Sequence, residues 1–264
     1  MRSDSRRGAK PSGRVTRGTT NINRLRRVDR WMAHEPAIIA ALTSEPRPLI
    51  VDLGYGARPD TCVEMAHRLR PVAPDLEMVG LEIDPERIVE PYDRVRFALG
   101  GFELAGLHPH LVRAFNVLRQ YDEHEVAPAW AQMIAQLAPG GLIVEGTCDE
   151  IGRRCAWVLL DADGPRQLTL CWAPAHTARP SELAERLPKA LIHHNVPGER
   201  IHELLATADR CWDNAAGQTV FGPRARWRQT LHLMRDAGID VEIPRGRVVD
   251  NLLTVPWETV AVRG

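Results

Sequence analysis

Between Pro48 and Gly146 the chain runs repeatedly through one cycle: a short apolar run, a breaker, and a stretch whose apolar residues recur at helical spacing. PLIVDL enters the glycine turn GYGARPD and then TCVEMAHRLR, where Val63, Ala66 and Leu69 share a helix face. EMVGLEI, RVRFAL, HLVRAFNVL and LIVEG are further strand-length runs. They are separated by a short helix opened by Pro85 and by the helical pattern EHEVAPAWAQMIAQLA, which stops at Pro139-Gly140-Gly141. Runs apolar on both sides of the alternation belong to strands covered on both faces. The cycle therefore predicts an α/β fold with a doubly wound, mostly parallel sheet.

The flanks read differently. Residues 1–22 form a basic arm whose composition buries too little apolar surface to offset ordering entropy, so a flexible arm is expected there. From Asn23, Leu25, Val28, Trp31 and Met32 keep helical spacing, and Pro36 should divide that helix from a second one. After Thr147, CAWVLLD and RQLTLCWA face each other across Asp163-Gly164, a strong hairpin signal. Helical patterns fill 181–238, and DNLLTV and ETVAV return to strand character. The expected division is a body of 23–264, with a cofactor-binding half at 23–150 and an acceptor-binding half at 151–264.

Composition narrows the class. With 44% hydrophobic and 26% charged positions, a globular domain is expected. No apolar stretch approaches the roughly 18 residues that span a bilayer, so no membrane role and a cytoplasmic location are expected. Cys62, Cys148, Cys155, Cys171 and Cys211 include no CxxC pair or zinc spacing, which predicts reduced thiols and no metal. The zero net charge conceals ten cationic residues in 1–30 against only Asp4 and Asp29. Such an arm could hold RNA, although solvated basic tails are the commoner outcome.

In a doubly wound sheet, ligands bind beyond the carboxyl ends of the strands, at the turn after the first strand. That turn carries Asp52, Gly54, Tyr55, Gly56 and Arg58. The second strand ends at Glu82, where a carboxylate can accept both ribose hydroxyls of an adenosine. A nicotinamide dinucleotide fits less well, because Pro59 stands where the fingerprint needs its third small residue. An acid ahead of the first glycine suits a cationic amino-acid head group instead.

Taken together, VDLGYGARP, VGLEIDPERI, FALGGFEL, FNVLRQY and LAPGGLIVEG resemble, in order and spacing, five motifs of the class I S-adenosylmethionine-dependent methyltransferases. The resemblance covers about 45–150 and implies a Rossmann-like, seven-stranded-type sheet with helical C-terminal additions. It implies that Asp52, Gly54 and Gly56 frame the methionine moiety, with Tyr55 and Arg58 in the same loop, and that Glu82 binds ribose with Ile83 beside it. Gly101 and Phe102 would then lie against adenine and Asn116 under the sulfonium. Two positions depart from the pattern, Arg58 for the third glycine and Gly101 for the acid that would bind the adenine amine.

The expected function is transfer of a methyl group to an unidentified acceptor, most simply a small molecule. RNA reached through residues 1–30 and a binding protein without catalysis are the alternatives. Tyr121, Asp122, Glu145 and Asp149 are the candidates for a base, should the acceptor have to lose a proton. Asn116-Val117-Leu118-Arg119 lacks the Asn/Asp-Pro-Pro-aromatic motif of adenine methylases, and Thr147-Cys148 lacks the partner Pro-Cys of RNA cytosine methylases. Trp157, Trp172, Trp212 and Trp227 are expected to pack the core, and His176, His193 and His194 to lie at the surface.

Overall fold

A computed structural model describes residues 11–15, 21–243 and 250–263. One sheet of eight strands, β1 (Leu49–Leu53), β2 (Glu77–Glu82), β3 (Val95–Leu99), β4 (Leu111–Phe115), β5 (Leu142–Cys148), β6 (Arg154–Asp161), β7 (Gly164–Trp172) and β8 (Asn251–Pro256), organises the molecule. Its spatial order is β3-β2-β1-β4-β5-β6-β7-β8. β1 to β5 pair in parallel in the 3-2-1-4-5 order of a Rossmann-like sheet. The doubly wound α/β expectation therefore holds.

The strand count differs from seven. β5–β6, β6–β7 and β7–β8 are antiparallel, because the Asp163-Gly164 turn closes a hairpin and β8 then adds to its free side. ETVAV adds no strand: Pro256 is followed by a single 3-10 turn over Trp257–Thr259. The pattern at 181–192 also splits, into a 3-10 stretch Pro180–Arg186 and α5 (Lys189–Ile192), with Pro188 between them.

Alternation along the strands builds two cores. On one face α1 (Arg26–Met32), α2 (Pro36–Thr43) and α3 (Asp60–Leu69) cover Ile50, Met78, Leu111, Val144 and Trp157. On the other, α4 (Val126–Ile134), α6 (Arg200–Asn214) and α7 (Pro223–Asp236) cover Val51, Val112, Ile143, Val158 and Trp172. Trp157, Trp172, Trp212 and Trp227 are all buried, with Trp172 and Trp227 in edge-to-face contact at 4.5 Å. The five cysteines are free and buried, and Cys148, Cys155 and Cys171 sit opposite one another across β5, β6 and β7.

Within the stretch expected to be a flexible arm, residues 11–15 are described and pack on the body. Ser12 to Val15 lie on the carboxyl ends of the strands, bonded to residues 102–103, 120–121, 125 and 132. Residues 1–10 and 16–20 lie outside the described residues. No helix among the described residues is long and apolar enough to cross a membrane.

Candidate functional site

The carboxyl ends of β1, β2 and β4 surround a small cavity of about 20 Å³. Leu53, Gly54, Glu82, Ile83, Gly100–Phe102, Val117 and Tyr121 line its body side, and Ser12–Arg14 roof it. The crevice lies where doubly wound sheets place a ligand, because β1 sits between β2 and β4 and the chain's crossovers diverge there.

Gly54 and Gly56 take φ of 70° and 85°, values that disfavour side chains, and this turns the chain sharply out of β1. The turn aims the Gly56 amide at Glu82, whose Oε2 accepts it at 3.0 Å. Oε1 of Glu82 accepts from the Ile83 amide at 2.9 Å. The carboxylate is 1% exposed and is thereby fixed at the cavity wall, with Arg87 Nη1 at 3.9 Å. The Asp84 amide also donates to Oε1, at 3.4 Å, so of the roughly four lone-pair sites of a carboxylate about one remains, on Oε2, for a hydroxyl of a ligand.

Of the residues expected to bind a cofactor, Gly54, Glu82, Ile83, Gly101 and Phe102 line this cavity, joined by Tyr121 from the candidate bases. The others do different work. Gly56 positions Glu82 from behind. The Tyr55 ring is buried edge-on against Phe97 at 5.0 Å, and its hydroxyl donates to Arg87 O at 2.7 Å. Burial, and then Glu82, push the Tyr55 phenol up to about 12. Arg58 is exposed and paired with Asp60 at 2.7 Å. Asn116, in a left-handed conformation (φ 60°) that ends β4, holds the Cys148 amide through Oδ1 at 3.0 Å.

Asp52 requires a correction. It is still inside β1, paired with Gly80 on one side and Arg113 on the other, so its side chain points under α3 rather than out of the strand end. Arg113 Nε and Nη2 donate to both its oxygens, at 2.9 and 2.6 Å. The same guanidinium reaches Asp29 at 2.5 Å and Thr61 O at 2.9 Å, and Arg68 closes the network on Asp29 at 2.8 Å. Burial works against the charge on Arg113, but Asp52 and then Asp29 hold its pKa above the ordinary value. Asp52 thus secures β1 to β4, buried under α3 and outside the lining of the cavity.

The candidate bases separate cleanly. Asp122 and Glu125 cap each other reciprocally at the start of the turn leading into α4. Asp149 is consumed by the amides of Ile151, Arg153 and Arg154 at 3.2, 2.8 and 3.1 Å. Glu145 lies buried in the core between sheet and helices, beside Trp130. Desolvation raises its pKa to about 8, so it is neutral near pH 7. Tyr121, its pKa raised by burial, accepts from the Arg14 amide. His176 and His193 are exposed, and His194 pairs with Glu123 at 2.5 Å.

The charge of the arm is largely spent internally at its inner end. Arg24 donates to Asp149 O and Arg26 to Asn23 O and Ile151 O, while Arg27 and Arg30 both pair with Asp250, at 2.9 and 2.6 Å. Arg14 pairs with Glu125 at 2.7 Å.

Sequence reasoning missed Glu103, Ser12 and Arg113. Glu103 had a readable signal, an acid two residues beyond Gly101. The arm had none, because its contacts are mostly main-chain.

No protein-family model matches the chain. No curated protein matches it either. Parts of several solved structures are similar. The plantazolicin methyltransferase BpumL, in complex with SAH, aligns over 48% of this chain and 49% of its own, at 10% identity and a TM-score of 0.35. The CcbJ methyltransferase from Streptomyces caelestis aligns over 53% and 65%, at 17% identity and 0.32. The cyclopropane synthase MmaA2 from Mycobacterium tuberculosis aligns over 52% and 47%, at 15% identity and 0.34. In each case the match spans less than two thirds of the other chain's length. Likenesses at this level carry no residue's role across.

Proposed function

We propose that this chain binds S-adenosylmethionine and transfers its methyl group to a small-molecule acceptor. The observation that carries the reading is Glu82: a buried carboxylate at the end of β2, held by the amides of Gly56, Ile83 and Asp84 at the wall of a crevice entered from β1 through Gly54. That is the chemistry a ribose diol needs, and Ile83 and Phe102 supply apolar walls for a purine beside it.

When bound, S-adenosylmethionine supplies a methyl group already activated on a sulfonium. The chain's task is then to align and to exclude water. Glu82 would hold the ribose, and Tyr121 and Val117 would close the side nearest β4. Asp122 and Asp149 are tied up in turns, and Glu145 is neutral. The arrangement therefore favours an acceptor that needs no strong base. The second half of the chain, 151–264, is where acceptor selection is placed, because loops and additions on a rigid sheet carry specificity.

A second reading, donor binding without transfer, is favoured by one observation. Arg113 takes both oxygens of Asp52, so the methionine end lacks the acid expected there. The RNA alternative would draw on Arg2, Arg6, Arg7, Lys10 and Arg17, which lie outside the described residues, since Arg24, Arg26, Arg27 and Arg30 serve internal bonds.

Calorimetry with S-adenosylhomocysteine tests the reading. Glu82→Ala should weaken binding by about 1.5–3 kcal/mol, the worth of hydrogen bonds to a charged group. Absence of binding by the folded native protein would refute the proposal. Donor carrying a labelled methyl group, offered with a small-molecule extract or with RNA, then separates transfer from binding and one acceptor class from the other.

A further inference from the structure

The roof of the cavity is made by the chain itself, and its hydrogen bonds follow a definite pattern. The Phe102 amide donates to Ser12 O at 2.9 Å, and the Ser12 amide donates to Glu103 Oε2 at 2.7 Å. The other oxygen of Glu103 accepts from the Gly101 amide at 2.7 Å, so the carboxylate is held in place before any ligand arrives. The 101–103 loop thus presents one donor beside one acceptor, and Ser12 answers with one acceptor beside one donor.

The fit is close. A Cβ on Gly101 would fall 1.9 Å from Ser12 O. One on Gly13 would fall 3.1 Å from the Tyr121 hydroxyl and 3.3 Å from Ile83 Cδ1. Gly13 also has φ of 138°, which a side chain would strain. Arg14 adds an ion pair to Glu125 and lies 4.9 Å over the Tyr121 ring.

Among small ligands, adenine carries the same pattern on one edge, N1 as acceptor beside the N6 amine as donor. With the arm in place the remaining cavity is about 20 Å³, room for a water rather than a purine and far below the roughly 300 Å³ at which pockets begin to enclose a drug-sized ligand. The arm and a purine cannot both use the loop edge.

We propose that the main-chain edge of Ser12 occupies the position of an adenine's hydrogen-bonding edge, so that residues 12–14 and an adenine-bearing donor compete for one cleft. The inference rests on the reading of the cavity as a donor site and adds to it a built-in competitor. Binding then requires the arm to leave, and the apparent affinity falls by the fraction of molecules in which it has left. An arm docked in nine molecules of ten would weaken binding about tenfold.

Full-length Ser12→Pro, which removes the donating amide, and Gly13→Val, which cannot seat against Tyr121 and Ile83, undock the arm without touching the body. Calorimetry should show both binding S-adenosylhomocysteine more tightly than the native chain, by about tenfold. Adenosine should show the same gain. Inosine, whose edge has donor and acceptor exchanged, should bind neither native nor variant chains. Equal or weaker binding by the variants would overturn the competition while leaving the donor site standing, and it would make the arm a roof instead. Inosine binding as well as adenosine would overturn the reading of the edge. Failure of native and variant chains alike to bind S-adenosylhomocysteine would refute the donor site, and the competition with it.

Discussion

Replacing Asp52 distinguishes a structural acid from a ligand-binding one. The side chain sits with Asp29, Arg68 and Arg113 in a network from which water is nearly excluded: Arg113 and Asp29 are both 0% exposed. Removing Asp52 leaves the Arg113 guanidinium with a single carboxylate and the Thr61 carbonyl, and leaves one uncompensated positive charge under α3. Breaking a buried pair in this way costs about 3–5 kcal/mol. Asp52→Leu should therefore lower the unfolding free energy by that amount in urea titrations, and Arg113→Leu by a similar amount. The double variant should lose less than the sum of the two, because neither orphan remains, so a cycle of the four proteins measures a coupling well above 1 kcal/mol. At a temperature where Asp52→Leu is folded, its affinity for S-adenosylhomocysteine should lie near the native value. A variant as stable as the native chain but unable to bind the ligand would refute the argument and return Asp52 to the methionine subsite.

Two further outcomes follow from burial. Glu145 has its pKa raised by desolvation to about 8, so the folded state keeps a proton that the unfolded chain loses near the ordinary carboxyl value of 4.5. Its stabilising contribution is complete below that lower value and is lost as pH rises toward 8. The stability difference between Glu145→Gln and the native chain should shift in the variant's favour by about 1.4 kcal/mol per pH unit between about pH 5 and 8; a difference independent of pH would contradict a neutral Glu145. Trp227, packed against Trp172 and donating to Leu252 O at 2.8 Å, ties α7 to the antiparallel edge of the sheet. Trp227→Ala should cost about 3–5 kcal/mol in thermal or urea unfolding and leave ligand affinity unchanged, whereas an effect on affinity alone would make this aromatic cluster a binding surface.

The β/α order, the hairpin at Asp163-Gly164 and the emergence of Gly54 and Glu82 at strand ends were legible in the chain, since each depends on local periodicity and turn chemistry. Glu82 was readable as a strand-end carboxylate because it ends its apolar run and the next residues turn away. Asp52 was misread for the complementary reason. It lies within an apolar run, and only the pairing of β1 with β4 shows that Arg113, sixty-one residues later, stands beside it. Asp122 and Asp149 looked like free acids because the amides that occupy them are fixed by loop conformation. Gly101 read as a lost adenine ligand, but the close approach of Ser12 requires a glycine there, and Glu103 stands ready two residues on. The arm was the least legible part. Composition states that a segment lacks a core of its own, and it is silent on a surface whose exposed amides and carboxylates can bind that segment's main chain, since a peptide bond looks the same beside every residue type. Which polar groups face the crevice, and which are already satisfied, was decided by strand register and by contacts between residues far apart in sequence.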